Sequence, residues 1–154
     1  MGAGIISGWR THLKTQYGFS LIELLVVVTI VGILSAVAIP AYSDYVTRGK
    51  VPDATSTLAT KRTKNEQFFQ DNRTYVGAPE CVADTSSSQN FDFSCTVQTA
   101  TAYTLQALGK GRMLGLTYTV DQSGAKATTA TSGIAPSGWT GATNCWVTRK
   151  GGSC

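Results

Sequence analysis

The sequence predicts an α+β protein in which one long N-terminal α-helix packs on a small antiparallel β-sheet. Three observations lead to this prediction. An apolar run fills residues 19–39, apolar residues then recur with helical spacing to about residue 71, and from residue 76 Gly, Ser, Thr and short β-rich runs take over. The 154 residues are enough for one long helix and one small domain, but not for two separate cores.

The apolar run has the length of a membrane span. Its 21 residues extend about 31 Å as a helix at ~1.5 Å per residue, close to the ~30 Å of a bilayer core. Glu23 is the only charged residue in the run, and an isolated carboxylate inside a bilayer costs ~2.5–3.5 kcal/mol on insertion scales unless it becomes neutral. Glu23 is therefore predicted to have a partner and a function.

A specific motif surrounds this carboxylate. Gly18 is followed by Phe19, Glu23 comes four residues later, and Pro40 interrupts the apolar helix. This arrangement resembles the class III signal of type IV prepilins and of the related type II secretion pseudopilins. The resemblance implies cleavage after Gly18 by a prepilin peptidase, N-methylation of Phe19, and polymerisation of the helices into a fibre core. It also implies that Glu23 pairs with the terminal amine of a neighbouring subunit, and two such charges buried together cost much less than either alone.

A plain membrane anchor or the h-region of an ordinary signal peptide is the alternative interpretation of the run. Twenty-one residues is long for an h-region, and a plain anchor has no use for Glu23. Arg10 and Lys14 precede the run without any acid, so the positive-inside rule keeps the leader in the cytoplasm and exports the rest. The only histidine, His12, lies in this leader, so processing would leave no histidine for acid–base catalysis or metal binding.

These observations divide the chain into four predicted parts. They are a cytoplasmic leader (1–18), a transmembrane and polymerisation half of the helix (19–39), an amphipathic half (40–72), and a β-sheet head domain with a C-terminal disulfide region (73–154). The helix is predicted to continue beyond Pro40 with a kink there. Tyr42 and Tyr45 would lie at the membrane interface, or alternatively pack between subunits of a fibre.

The amphipathic half carries a narrow apolar stripe. Its members are Val51, Ala54, Leu58, Phe68 and Phe69. The segments 50–55 and 66–75 resemble the minor pilins of the PilE type, which extends the resemblance over about half of the chain. The fold that the resemblance implies is pilin-like, with the second half of the helix on the sheet.

The head domain is predicted to contain four strands. They cover residues 91–97, 102–107, 114–120 and 145–148, after a loop at 76–90. Residues 109–112 are predicted to connect the second and third strands as a hairpin, and residues 121–124 to form a turn. A long Ser/Thr/Gly loop at 128–143 would then be held down by Trp139.

Four cysteines lie in the exported part and allow three disulfide pairings. Cys81–Cys95 and Cys145–Cys154 are favoured, because each closes a short loop beside a predicted strand, and such loops add ~3 kcal/mol in the chain-entropy model. Cys145 with the final Cys154 also resembles the disulfide-bounded C-terminal region of pilins. A four-cysteine zinc site is the alternative, disfavoured because no Cys-x-x-Cys spacing occurs.

The C-terminal third is basic. From residue 109 onward, Asp121 is the only acid, and the five basic residues are Lys110, Arg112, Lys126, Arg149 and Lys150. These five side chains are the candidate contacts to DNA or to anionic lipid, although scattered bases also occur on ordinary solvated surfaces.

The predicted function is that of a structural subunit of a type IV pilus, more specifically a minor pilin that takes part in assembly or priming. A DNA-receptor pilin of natural transformation and a type II secretion pseudopilin are the alternatives. No enzymatic activity, cofactor or metal is expected. The resemblance implies as partners the major and minor pilins, the prepilin peptidase, the inner-membrane assembly machinery and membrane lipid before assembly, with DNA as a further candidate. It places the chain in the bacterial inner membrane as a single-pass protein with a periplasmic head, and later in a surface pilus.

Overall fold

The computed structural model describes residues 18–154, so the predicted leader lies outside the described residues except for Gly18. One long helix is followed by a four-stranded sheet. The regular elements are α1 (Leu21–Asn72), β1 (Phe91–Gln98), β2 (Tyr103–Gly109), β3 (Leu116–Asp121) and β4 (Lys126–Ala130). Short 3₁₀ turns lie at Pro79–Cys81, Gly111–Met113 and Lys150–Gly152. The predicted α+β fold class is confirmed.

Helix α1 contains both Pro40 and Pro52 without ending at either, so the predicted continuation past Pro40 is confirmed. The kink at Pro40 stays a prediction. The helix ends at Asn72, because Arg73 takes a left-handed backbone (φ 57°) and its N–H donates to the Phe69 carbonyl. This agrees with the end predicted near residue 71.

The chain divides into two units, and the division falls inside α1. One unit ends at Ala38 and the other comprises Ile39–Cys154. None of the described residues of the first unit is buried, although most are apolar. By length and composition, α1 is the one helix within residues 18–154 that could cross a membrane.

In the second unit, α1 buries one face with alternating three- and four-residue spacing. The buried residues are Asp44, Thr47, Val51, Ala54, Leu58, Lys61 and Asn65. The predicted stripe is confirmed for its first three members. Phe69 packs against the core only partly and Phe68 is half-buried, since the buried face is continued by the polar Lys61 and Asn65.

The sheet is an antiparallel meander in the order β1-β2-β3-β4. Alternate residues of β2 and β3 point to the core, and the central registers pair Ala107 with Phe93 on one side and with Tyr118 on the other. The predicted hairpin between β2 and β3 is confirmed. Gly109 is needed at its start, because a Cβ there would clash with the Met113 carbonyl oxygen.

The predicted fourth strand at residues 145–148 is wrong. The strand after β3 is Lys126–Ala130, which lies partly in the predicted loop, because the turn at 121–124 reverses the chain onto β3 at once. The segment around Val147 is instead held by side chains. The Thr128 hydroxyl donates to the Cys145 carbonyl (3.1 Å) and accepts from the Val147 N–H (2.9 Å), and the Tyr118 hydroxyl donates to the Val147 carbonyl (3.0 Å).

The core lies between the second half of α1 and the inner face of the sheet. Its largest fully buried side chains include Tyr103, Tyr118, Phe91, Phe93 and Leu58. Trp139 joins this cluster with 5% of its surface exposed, which confirms that it holds the long loop down.

Candidate functional site

The described chain begins with the segment predicted to be processed. Gly18 and Phe19 precede the helix and are exposed. The backbone N–H of Glu23 donates to the Ser20 hydroxyl (3.3 Å), so Ser20 caps the helix at its N-terminus. The sequence signal for this cap is Ser-x-x-Glu, which sequence analysis overlooked. No basic group among residues 18–154 lies within 4 Å of the Glu23 carboxylate, and its pairing with the amine of a neighbouring subunit stays a prediction.

The cysteines form two disulfides, Cys81–Cys95 and Cys145–Cys154. These are the pairs favoured from the sequence. Because all four sulfurs are in disulfides, the zinc alternative does not apply. The first bond ties the loop before the sheet to β1, and the second closes the C-terminal turn that carries Arg149 and Lys150.

Lys110 is occupied by internal contacts. Its ammonium lies 2.7 Å from an Asp92 carboxylate oxygen and donates to the carbonyls of Thr85 (3.0 Å) and Ser88 (2.9 Å). A lysine with three such partners stabilises the loop before β1. It is a poor candidate for a DNA contact.

Arg112 and Lys150 contact two neighbouring residues of α1. The Arg112 guanidinium donates to the Ser43 hydroxyl (3.3 Å), and the Lys150 ammonium lies 3.9 Å from Asp44 Oδ1. Arg48 forms a salt bridge with the other oxygen of the same Asp44. Two basic groups therefore lie at one buried carboxylate and a third reaches the residue before it, a cluster that nothing in the sequence pattern indicated.

Lys126 lies elsewhere on the head. Its ammonium is 4.5 Å from the centre of the Trp146 ring, in a cation–π contact. The Trp146 N–H donates to the Thr119 carbonyl (2.8 Å), which fixes the ring. Both side chains line a groove of about 410 Å³ that also includes Thr55 and Ser56 of α1. Eleven residues separate Thr55 from Asp44, about 17 Å along a helix, so the five predicted bases do not form one cluster.

The second unit also contains an ionic network that sequence analysis missed. Lys61, on the buried face of α1, lies 3.1 Å from Glu80 and 3.8 Å from Asp84, and Lys64 lies 3.0 Å from Glu80. Burial raises the pKa of Glu80, but the hydrogen bonds and charges of Lys64 and Lys61 outweigh it, so this pKa lies below its usual value. Hydrogen bonds from the hydroxyl and the backbone N–H of Ser87 lower the pKa of Asp84 to about 2.

A second internal network joins α1 to the sheet through Glu66. Its two carboxylate oxygens accept from the hydroxyls of Tyr103 (2.8 Å) and Tyr75 (3.0 Å). Burial, with the hydrogen bond to Glu66, raises the pKa of Tyr103. Both networks fix the helix on the head, and together they hold the acids Glu66, Glu80 and Asp84.

Two family models match the chain. Residues 40–131 match the family described as "Type IV minor pilin ComP, DNA uptake sequence receptor", and residues 13–39 match the "Prokaryotic N-terminal methylation motif". The chain is 34% identical over 118 residues to a type IV major fimbrial protein FimA of Dichelobacter nodosus, covering 77% of this chain and 71% of that protein.

Other relatives match over a shorter stretch. A fimbrial protein of Moraxella nonliquefaciens is 38% identical over 72 residues and one of Pseudomonas aeruginosa 42% identical over 66 residues. Against these two, the chain spans 47% and 43% of the relative's length. Among solved structures, the non-core minor pilin PilV of Neisseria meningitidis is similar in fold, with a TM-score of 0.52 and 15% identity, covering 61% of this chain and 97% of PilV.

Proposed function

Because the chain belongs to the type IV pilin family, we propose that it is a minor subunit of a type IV pilus whose head domain binds DNA. The observation that carries this proposal is the match of residues 40–131 to the family described as a minor pilin and DNA uptake sequence receptor. The second candidate function is that of a subunit that primes or assists assembly of the pilus. The PilV-like fold supports a pilin and fits both functions equally.

The N-terminal segment mediates assembly of the subunit into the fibre. In this proposal a prepilin peptidase cleaves after Gly18, Phe19 becomes the methylated terminus, and Glu23 pairs with the terminal amine of a neighbouring pilin. The match to the methylation motif supports this processing. The exposed apolar residues before Ile39 first anchor the chain in the membrane and are then covered by other subunits in the fibre. The pilin family is structural, and we assign no catalysis to this chain.

The DNA surface is assigned from charge and exposure. Of the five predicted bases, Arg112, Lys126 and Arg149 are exposed and have no carboxylate within 4 Å among the residues that the structure describes. Cations without a carboxylate partner are the ones most available to phosphates, and each such contact releases counterions from the duplex. Lys126 is the strongest candidate because Trp146 holds its ammonium at the edge of an open groove lined by hydroxyl groups.

The test is DNA binding by the full chain in detergent, measured by fluorescence anisotropy with labelled duplex at several salt concentrations. Lys126→Gln with Arg149→Gln should weaken binding, and the slope of log K against log salt should become shallower by about 0.9 for each lost phosphate contact. Lys64→Gln is the matched control, because Lys64 is also exposed but is paired with Glu80.

The DNA proposal fails if the unmodified chain does not bind duplex DNA even at low salt. It also fails if the double variant loses only about twice the binding free energy that Lys64→Gln loses, since a general loss of charge would then explain both. Fibre incorporation of the same variants tests the pilus subunit proposal separately, because neither base lies in the segment proposed for assembly.

A further inference from the structure

The groove at Lys126 combines a cation, a flat aromatic ring and hydroxyl groups. Helix α1 contributes Thr55 and Ser56, β4 contributes Lys126, and the C-terminal segment contributes Trp146 and Thr148. None of the described side chains that line the groove is acidic. Its volume of about 410 Å³ is in the range of sites that hold a small molecule, roughly 300–1,000 Å³. These groups suit a ligand that carries both an anion and a planar ring.

The face of the Trp146 ring that opens on the groove is covered by Lys126. The ring N–H donates to the Thr119 carbonyl (2.8 Å), which holds the ring in place, and the Lys126 ammonium lies over the ring, 4.5 Å from its centre. Trp146 is only half-buried and Lys126 is exposed, so the cover is a solvated lysine on a flexible stem. A planar group can take the place of the ammonium by a change of the lysine rotamer alone.

A nucleotide meets both requirements of this pair. Every nucleobase has a π-face that stacks on aromatic side chains, and the phosphate of the same nucleotide gives the displaced ammonium a new partner. The hydroxyls of Thr55 and Thr148 lie in the same groove and are able to donate to phosphate or sugar oxygens. A neutral sugar would also stack on Trp146, but it brings no anion for Lys126.

The form of the DNA decides whether a base can reach the ring. Inside a duplex each base is stacked between its neighbours and paired at its edge, so it must be extruded before another ring can stack on it. An unpaired nucleotide, in a single strand or at the end of a tailed duplex, does not carry this cost. Stacking on Trp146 should therefore favour unpaired over paired DNA.

We propose that this groove binds one unpaired nucleotide of DNA, with the base stacked on Trp146 and the phosphate paired with Lys126. The inference rests on the DNA binding proposed above and names the form of DNA that the groove prefers. Lys126 then has two positions: it covers the ring in the free chain and contacts the phosphate in the complex. Trp146 is the residue that distinguishes unpaired from paired DNA.

The experiment compares three labelled DNA probes on the full chain in detergent, by fluorescence anisotropy at physiological salt. The first is a blunt duplex, the second is the same duplex with a short unpaired thymidine tail, and the third is a blunt duplex lengthened to the same number of phosphates as the second. The tail should tighten binding roughly tenfold, the effect of one stacked base, whereas the paired extension should change it less than about twofold. The third probe separates stacking from added charge.

Variants of the ring locate the effect. Trp146→Leu should remove the roughly tenfold preference for the tailed probe and leave binding of the blunt duplex within about twofold, whereas Trp146→Phe should keep most of the preference because it retains an aromatic face. Tyr45→Leu is the matched control, since it removes a ring that is 76% exposed on α1, ten residues before Thr55. It should leave the preference unchanged. Formation of both disulfides and the unfolding temperature are measured for each variant.

A measurement on the unmodified chain keeps the test valid if Trp146→Leu does not fold. The tail is synthesised with 5-iodouracil, the complex is irradiated, and the cross-linked peptide is identified by mass spectrometry. We expect the cross-link at Trp146.

Equal affinity for the tailed probe and the probe with the same number of phosphates would overturn this inference and leave DNA binding itself intact. A cross-link outside the groove, or a preference that survives in a folded Trp146→Leu chain, would overturn it as well. Binding of a neutral oligosaccharide that depends on Trp146, without any preference for the tail, would instead assign the groove to sugars. Failure to bind any of the three probes, even at low salt, would disprove the proposed DNA binding and this inference with it.

Discussion

The two halves of α1 differ in where their partners are found. Up to Ala38 the helix is apolar and its described residues are all at least partly exposed, with Leu25 at 54%. Beyond it, the helix buries a face that includes charged residues, and Lys61 has partners in Glu80 and Asp84. Apolarity thus does not indicate burial within this chain. In the function proposed above, the apolar half depends on lipid or other subunits, whereas the more polar half is stabilised by its own head domain.

A substitution that blocks processing should have the largest effect, and this effect should be confined to the first half of α1. A bulky residue at Gly18 has room in the folded chain, since no atom lies within 4 Å of the position that a Cβ would take there. We therefore expect Gly18→Leu to leave the fold intact and to block cleavage almost completely, because the peptidase must fit a small residue at the membrane surface. Immunoblots of precursor and N-terminal sequencing check this. A terminus other than Phe19 in the unmodified protein would disprove the assigned site.

Removal of Glu23, the one acid in the apolar half of α1, should have the next largest effect. Glu23→Ala keeps the backbone N–H that donates to Ser20, so the helix cap survives the change. We expect normal or better membrane insertion, because a carboxylate leaves the span, together with a strong loss of fibre incorporation at equal membrane level. Leu24→Ala serves as the neighbouring control. Normal incorporation of Glu23→Ala would rule out the pairing for this subunit.

A leucine-to-alanine substitution in each half of α1 tests directly whether the two halves differ in their contribution to stability. Leu58→Ala removes a fully buried side chain and should lower the free energy of unfolding of the head by about 2–5 kcal/mol. Leu25→Ala, at an exposed position, should change it by less than about 0.5 kcal/mol. Chemical denaturation of the full chain in detergent measures both. Equal losses would mean that the apolar half contributes to the stability of the head.

Lowering the pH should destabilise only the unit that contains the second half of α1, and we expect this effect to be the smallest. The pKa of Asp84 is lowered from 3.8 to about 2 and that of Glu80 is also lowered, so both stabilise the folded state above their usual pKa values. This contribution is lost as the pH falls from about 4.5 toward 2. We expect the unfolding temperature to drop over this range and Asp84→Asn to make the drop smaller. An unchanged pH profile in that variant would contradict the assignment.

The sequence was sufficient for the parts of the fold that follow from local pattern. The 3.6-residue spacing of Val51, Ala54 and Leu58 and the strand alternation around Tyr103 both depend on neighbours in the chain. The fourth strand was misplaced because the apolar segment around Trp146 and Val147 has a stronger strand pattern than the threonine-rich β4. Its backbone is held instead by Thr128 and Tyr118, contacts that only the tertiary fold creates.

The candidate site was less predictable for the same reason. The five basic residues could be counted from the sequence. Asp92, which forms a salt bridge with Lys110, lies eighteen residues earlier in the chain, in β1. Burial of Asp44 and Trp139 likewise depends on three separate segments meeting. Long-range pairing of polar groups leaves no periodic signal, so it could not be inferred. The Ser20 cap is an exception, since its motif is local.

The polar residues on the buried face of α1 also fix the helix against sliding. A purely apolar stripe could shift by one turn, about 5.4 Å, and still meet an apolar sheet. Such a shift would separate Lys61 from Glu80 and Glu66 from its two tyrosines, leaving buried polar groups unpaired. These contacts would therefore resist a pull applied along the helix axis. Load on the anchored end would pass into the head without changing the alignment of helix and sheet.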